Sequence, residues 1–567
     1  MRPDLAGATF RLLSPLCLAA GLACGGCRLG GVTDTDRPGN VADDIRREAT
    51  RANDDPGGRP LPLACSWTCG HFTKDTSAGW RPANQLRLIA AGHHLLPWFA
   101  HPTGAVPTDP QAFALTYYRA AIEQARELRL PLTFVASQWE SGLSRKPYLD
   151  LPPAENPNVV TVDGKVQPRV SPFGPVAPWR AIGRTHTDNP WLKQLQEWYP
   201  DPPLVIFLSN NEHAKLKWPE VEQERRYLEQ YGLGRADDFK RKLVGDAWTE
   251  RYRALQAGLR EGLASPAWRQ NSRYLGYDAF GPRHLGRWGG WLEYSEYSAG
   301  RMDPNPLRWD GGSPSYYTDD WQPCRDYTVR SPQVEFMNLV FMQQEARRLN
   351  PRFWFEFSLW DGYQHGSAKS TRAELRRAGQ AVTPERYAGF AQFGMWLTRP
   401  RAVRDFRGWI EPWDDVPGQG GKDPWEGGGP YFMALVAAVD RVHTNPVLRQ
   451  WWRQGELVAN RAHPHPYQDA IPAEYRQVDR WFLLDTSLDP ARPWQLGTPL
   501  PVLALALVQG QAPTRQWLVY AHAPVGDRQS VGVTIPDYRT ITVAVPVGGA
   551  FYLTDERTGA VQRVAGP

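Results

Sequence analysis

Residues 203–212 read Pro-Leu-Val-Ile-Phe-Leu-Ser-Asn-Asn-Glu. Five apolar side chains, Leu204 to Leu208, follow one another with no polar alternation. The run then ends in two amides and a carboxylate. An unbroken apolar run of this length is what a strand buried on both faces requires, as in a parallel sheet covered by helices. Asn210, Asn211 and Glu212 then fall just past the carboxyl end of that strand. The bland reading is a polar turn that caps the next helix. The other is that they belong to a site, because in barrels of alternating strands and helices the carboxyl ends of the strands are where side chains converge.

Working outward, the same signal recurs. Further apolar strands are expected at residues 61–67, 94–99 (ending at Pro97), 132–137, 274–280, 353–360 and 387–397. Helices are expected between them, one opening at Asp109-Pro110 and another over 236–263. Strands that alternate with helices point to an α/β fold with a parallel sheet, and at this length to a closed (β/α)8 TIM barrel. Seven strands are counted. The eighth is expected either within Trp288–Tyr294 or after residue 400. After residue 502 the period changes to short runs bounded by Gly, Pro and Asp, as in a small antiparallel β-sandwich. The expected organisation is a barrel over 61–495, interrupted by aromatic-rich insertions, and a β-sandwich over 496–567.

At the amino terminus, Arg2 and Arg11 precede an apolar stretch from Leu12 to Ala23. That stretch is too short for a membrane span but suits the core of a signal peptide over 1–27. Cys24 is then the residue a lipid anchor would take if the signal is of the lipoprotein type, and cleavage after Ala23 is the alternative. Both make the protein exported, to the cell envelope, the periplasm or the extracellular space. Residues 28–60 are rich in Gly, Asp, Arg, Asn and Pro without apolar periodicity and read as a disordered linker.

The chain has 567 residues, and its net charge of +5 is a small difference between 65 basic and 60 acidic side chains, which does not argue for nucleic acid. Its 25 Trp and 22 Tyr say more: flat rings with one polar edge suit sugar rings and protein interfaces. Six cysteines do not make a disulfide scaffold. Cys65 and Cys69 are expected to pair in an oxidising compartment if the turn between them allows it, leaving Cys324 over. No Cys or His spacing matches a metal site. His463-Pro-His465 looks loop-like, and His93-His94 would face opposite sides of a strand. No cofactor is expected.

Two carboxylates draw attention. Glu212 ends the buried run. Glu356 stands in Phe353-Trp-Phe-Glu-Phe-Ser-Leu-Trp-Asp-Gly362, a segment otherwise aromatic and apolar. A carboxylate is costly there unless it faces a polar interior, a site or an arginine partner. With Asn211-Glu212 and Glu356-Phe357-Ser358, the chain resembles clan A glycoside hydrolases, which carry an Asn-Glu pair ending strand four and a second Glu ending strand seven. The resemblance implies a retaining hydrolase of β-glycosidic bonds in a polysaccharide or oligosaccharide. It makes Glu212 the acid/base, Glu356 the nucleophile and Asn211 the partner of the neighbouring sugar hydroxyl. It also makes Trp396 the last-strand stacking platform, and Tyr294 or Tyr297 the residue that orients the nucleophile. Asn210, Trp139, Asp278, Trp360 and Asp361 lie at strand ends and would shape the pocket. The strand count leaves Glu356 on strand six unless a strand hides in the aromatic insertion. In that case Glu411 competes as nucleophile. The alternative function is a non-catalytic carbohydrate-binding lipoprotein on the same scaffold, in which Glu212 and Glu356 stand too far apart or bond to arginines. Oligomeric state is open.

Overall fold

A computed structural model describes residues 61–66, 82–136, 138–209, 215–276, 308–313, 315–317, 343, 346, 350–360, 383–405, 424–458, 482–484, 502–523 and 526–566. Eight parallel strands form one barrel-like sheet: β1 (Leu63–Ser66), β2 (Trp98–Ala100), β3 (Leu132–Ala136), β4 (Val205–Ser209), β5 (Ser272–Gly276), β6, β7 (Trp354–Trp360) and β8 (Ala402–Asp405). Strand β6 comes in two short pieces, Gly311–Gly312 and Ser315–Tyr317, both paired with β7.

The registers define the barrel. Along one hydrogen-bonded row, Ala100 aligns with Val135, Leu208, Leu275, Gly311 and Trp354. Glu356 aligns with Ala402, and Ala402 with Leu63, so the row reaches position 61 on β1. Across the remaining seam, Leu95 bridges Ala64, and five residues further on Ala100 would stand against position 69. The two positions differ by eight residues. Eight strands with a shear of eight are the parameters of a (β/α)8 barrel.

Among the described residues, β1 meets the segment leading into β2 at the Ala64–Leu95 bridge with its two hydrogen bonds, Ala64 N–H to His94 O and Leu96 N–H to Ala64 O, both 2.9 Å. The second strand was expected to end at Pro97. It begins after it instead, since Pro97 has no N–H for a ladder but its carbonyl accepts from Thr133 N–H at 2.8 Å.

Helices cover the sheet. They include α1 (Pro82–Ala90), α2 (Phe113–Glu127), α3 (Ala177–Thr187), α4 (Pro190–Trp198), α5 (Asp237–Gly262), α6 (Pro384–Thr398), α7 (Pro424–Thr444) and α8 (Pro446–Gln454). Helix α2 starts later than Asp109-Pro110 predicts, because the Asp109 carboxylate accepts from Gln111 N–H and closes a turn instead. Helix α4 follows the sequence signal: Asn189 caps Leu192 N–H at 2.9 Å and Pro190 takes the first helical position.

One element differs in kind. Residues 387–397, expected as a strand, lie in α6. Every residue of this helix from Arg386 to Thr398 except Ala388 is buried, so it is covered all round and its one amide, Gln392, is buried as well; it shows no 3.6-residue polar stripe. Both of its sides are covered. Gly394 packs against the Phe357 ring of β7. Opposite, Gly389 O accepts from Tyr520 OH at 2.9 Å and Trp396 meets Phe551 edge-on.

Those last two residues belong to an antiparallel sheet built on β9 (Leu503–Gln509), β10 (Gln516–His522) and, after a two-stranded sheet of β11 (Arg528–Thr534) and β12 (Thr540–Val545), β13 (Ala550–Asp555). Strand β9 also pairs with Glu456–Leu457 and Phe482–Leu484, which precede residue 496. Its two faces have different neighbours. Leu503, Leu505 and Leu507 join the barrel's core, while Ala504 and Ala506 join Trp517, Val531, Val533, Ile541 and Val543 in a second core. No helix among the described residues is long and apolar enough to cross a membrane.

Candidate functional site

Which residues line the barrel follows from alternation along its strands. Tyr274 meets Arg260 of α5, Phe357 meets Gly394 of α6, and Asp405 accepts from Tyr387 OH of α6 at 2.6 Å. These residues therefore face the helices, and Leu275, Trp354, Glu356 and Arg404 face the interior. Gly311 lies between Leu275 and Trp354, where a Cβ would collide with Trp354 O.

Inside, Glu356 is held on both oxygens. Arg404 Nε donates to Oε2 at 2.6 Å and Nη2 to Oε1 at 2.9 Å, while the Trp354 indole N–H donates to Oε1 at 3.0 Å. Neither charged side chain is exposed. Arg404 also donates from Nη1 to Ser66 O at 3.2 Å, so one guanidinium ties β7, β8 and β1 together. Cys65 lies beside the pair as a free, buried thiol whose Sγ points to Ser66 O, so it is not bridged to Cys69 as expected from sequence. Burial pushes the thiol up to about 12, against the attraction of Arg404.

The strand order counts β7 as the seventh barrel strand, because β6 lies within the aromatic insertion and β8 after residue 400. Glu356 is the third residue of β7, with Ser358 above it on the same face. With a shear of eight, a hydrogen-bonded row descends one residue per strand. Ser209, the last residue of β4, aligns through Gly276 and Gly312 with Phe355, three strands on, so Ser358 stands at its height. Glu356 is two residues lower, roughly 5 Å along the barrel axis.

Of the other expected site residues, Trp139 follows β3 and is buried, its ring edge-on to His101 and His186, so it offers no face to the cleft. Trp396 is buried on α6, not on a strand, and its indole donates to Gln392. Trp360 ends β7. Asn210, Asn211, Glu212, Asp278, Tyr294, Tyr297, Asp361 and Glu411 lie outside the described residues, as do Cys24, the expected signal over 1–27 and the linker over 28–60.

Sequence reasoning missed a second buried polar group. Glu140, fully buried after β3, accepts from Tyr252 OH of α5 at 2.8 Å, and Lys215 Nζ donates to the same hydroxyl at 3.4 Å. The Lys215 backbone is fixed in turn by a bridge to Val170. The sequence did show Gln138, Trp139 and Glu140 at a strand end. Nothing in it paired them with Tyr252, 112 positions away. Arg404 was detectable only as a charge in the otherwise short apolar run before Asp405. Among the described residues, no group of three or more His, Cys, Asp or Glu is arranged to hold a metal. No family model matches the chain, and no curated protein matches it.

Proposed function

We propose that the chain is an exported retaining glycoside hydrolase that cleaves β-glycosidic bonds of a polysaccharide or oligosaccharide at the carboxyl-terminal mouth of its barrel. Glu212 serves as acid/base and Asn211 binds the adjacent hydroxyl. Glu356 is the nucleophile, with Glu411 as the competing carboxylate. The observation that carries this reading is the strand arithmetic. Strand β4 ends at Ser209, and Asn210-Asn211-Glu212 follows it directly in sequence. Glu356 faces inward on the seventh strand, the strand on which the resemblance asks for a second carboxylate, though four residues before that strand's end.

The test is hydrolysis of a panel of aryl β-glycosides and plant, algal and bacterial polysaccharides by the purified chain, followed by Glu212→Ala, Glu356→Ala and Glu411→Ala with added azide. Azide restores turnover of an activated substrate, with inverted product, only in the variant that has lost the nucleophile. A wild-type chain that cleaves none of the panel overturns the reading.

A second reading has its own observation. Both oxygens of Glu356 are taken by Arg404 and Trp354, and the residue lies below the end of β4. That is the arrangement of a structural ion pair in a non-catalytic carbohydrate-binding protein. Polysaccharide binding without product release supports this reading over the first.

A further inference from the structure

Strand alternation and the shear of the barrel place Glu356 in a layer of four inward side chains. Phe134 aligns through Phe207 with Tyr274, which faces the helices, so Thr133 faces the interior. Thr133 aligns with Ile206 and Arg273. The registers of Leu275 with Gly311 and of Gly311 with Trp354 carry that row to position 352, two residues before β7. Rows descend one residue per strand, so Glu356, four strands on, stands at the height of Thr133 and across the axis from it. By the same count Leu275 and Cys65 complete the layer. Ser313 joins it from the side. Gly312 aligns with Phe355 and Ser315 with Ser358, so Ser313 stands next to Glu356 on the same face.

All five residues are fully buried. Among the described residues, Thr133 Oγ1 and Ser313 Oγ have no hydrogen-bond partner. Glu356 Oε1 accepts two hydrogen bonds, from Arg404 Nη2 and the Trp354 indole, whereas Oε2 accepts one, from Arg404 Nε. A carboxylate oxygen can take two. A bare hydroxyl in a protein interior costs about as much as a lost hydrogen bond, and native interiors satisfy such groups with protein or with ordered water. The layer has room, because Cys65 and Ser313 are small where barrel layers usually hold Val, Ile or Leu.

We propose that the barrel core binds one water molecule at this layer, held by Thr133 Oγ1, Ser313 Oγ and Glu356 Oε2. Three polar partners suit a buried water. A metal cation does not suit the site, since the Arg404 guanidinium already sits on the carboxylate. The water gives Glu356 a fourth hydrogen bond and links β3, β6 and β7 across the axis. It holds the carboxylate in place whether or not Glu356 acts on a substrate.

Urea unfolding of the full chain and of Thr133→Val, Ser313→Ala and the double variant tests this, together with a crystal structure of the wild-type chain. Valine keeps the shape of threonine, so a bare hydroxyl in a dry core would leave Thr133→Val at least as stable as the wild type. The expected result is the reverse. Each single variant lowers the folding constant about fivefold. The double variant loses less than the two effects multiplied, because both hydroxyls hold the same water. Electron density is expected to show a peak within about 3 Å of all three oxygens. Stability unchanged or raised in either single variant overturns the proposal. So does density that lacks the peak and turns the hydroxyls to backbone carbonyls, an outcome in which the variants also lose stability. Ser313→Ala and the density decide the matter if Thr133→Val does not fold.

Discussion

Arg404 grips Glu356 across the floor of the barrel with two hydrogen bonds of 2.6 and 2.9 Å, and neither side chain touches solvent. Removing one partner strands the other charge in a low-dielectric interior, at a cost of roughly 3–5 kcal/mol. Replacing both with apolar groups leaves no charge behind. Arg404→Met is therefore expected to lose several kcal/mol in urea unfolding. Arg404→Met combined with Glu356→Leu is expected to be more stable than Arg404→Met alone. A double variant as unstable as the sum of the two single variants would show that the pair's cost is packing and not charge.

Helices α3 and α5 meet on glycine. A Cβ on Gly258 would fall on Arg180 O, and one on Gly183 on Leu255 O, so each position faces backbone that cannot rotate away. Alanine gains about 1 kcal/mol in helix propensity at such positions. Overpacking typically costs about 1–3 kcal/mol, and contact with backbone puts these sites at the upper end. The net sign is destabilising: Gly258→Ala and Gly183→Ala should each lower the thermal midpoint. A rise in either midpoint contradicts the backbone contact.

Legibility in the sequence followed the physics of each segment. The run Leu204–Leu208 has all its side chains buried, and no other element explains five apolar residues between turn signals, so β4 was readable with its position. Helix α6 was not. Packed between β7 and the C-terminal sheet, it has no polar face, and without one a helix and a buried strand look alike in sequence. Strand β6 escaped because two glycines in its first piece carry no strand propensity. At the first of them, Gly311, a Cβ would collide with the Trp354 backbone oxygen and Cβ. Glu356 was visible as an anomaly, but its partner was not, since the pairing with Arg404 depends on β7 and β8 lying side by side.

Stability should fall on acidification from about pH 6.5. Burial lowers His101 and His522 to about 3, His101 with a further contribution from His186 and His522 from Arg386. A folded value below the unfolded one means that the unfolded chain binds more protons between the two. The full stability is thus present above about pH 6.5 and is lost as pH falls toward 3. Two such groups give a slope of roughly 3 kcal/mol per pH unit. Urea midpoints measured from pH 7 to 5 check this, and His522→Gln should reduce the slope by the share of one proton. A flat profile would mean that these rings are hydrated in solution.

The C-terminal sheet should be needed for the barrel to stay soluble. Phe551 and Tyr520 of that sheet cover α6: Phe551 meets Trp396, Tyr520 OH bonds to Gly389 O, and His522 packs edge-on against Phe390. With the sheet absent, Phe390, Trp396 and their neighbours would present a continuous apolar surface, which soluble monomers rarely expose beyond a few hundred Å². A chain ending at residue 455, before Glu456–Leu457 joins β9, is expected to aggregate on expression. The subtler variant Phe551→Ala keeps the sheet but removes its largest contact with Trp396, and should cost about 3–5 kcal/mol. Light scattering on the truncated chain and urea unfolding of Phe551→Ala decide the matter. A soluble, cooperatively unfolding chain that ends at 455 would mean the barrel closes its own surface and the sheet is dispensable.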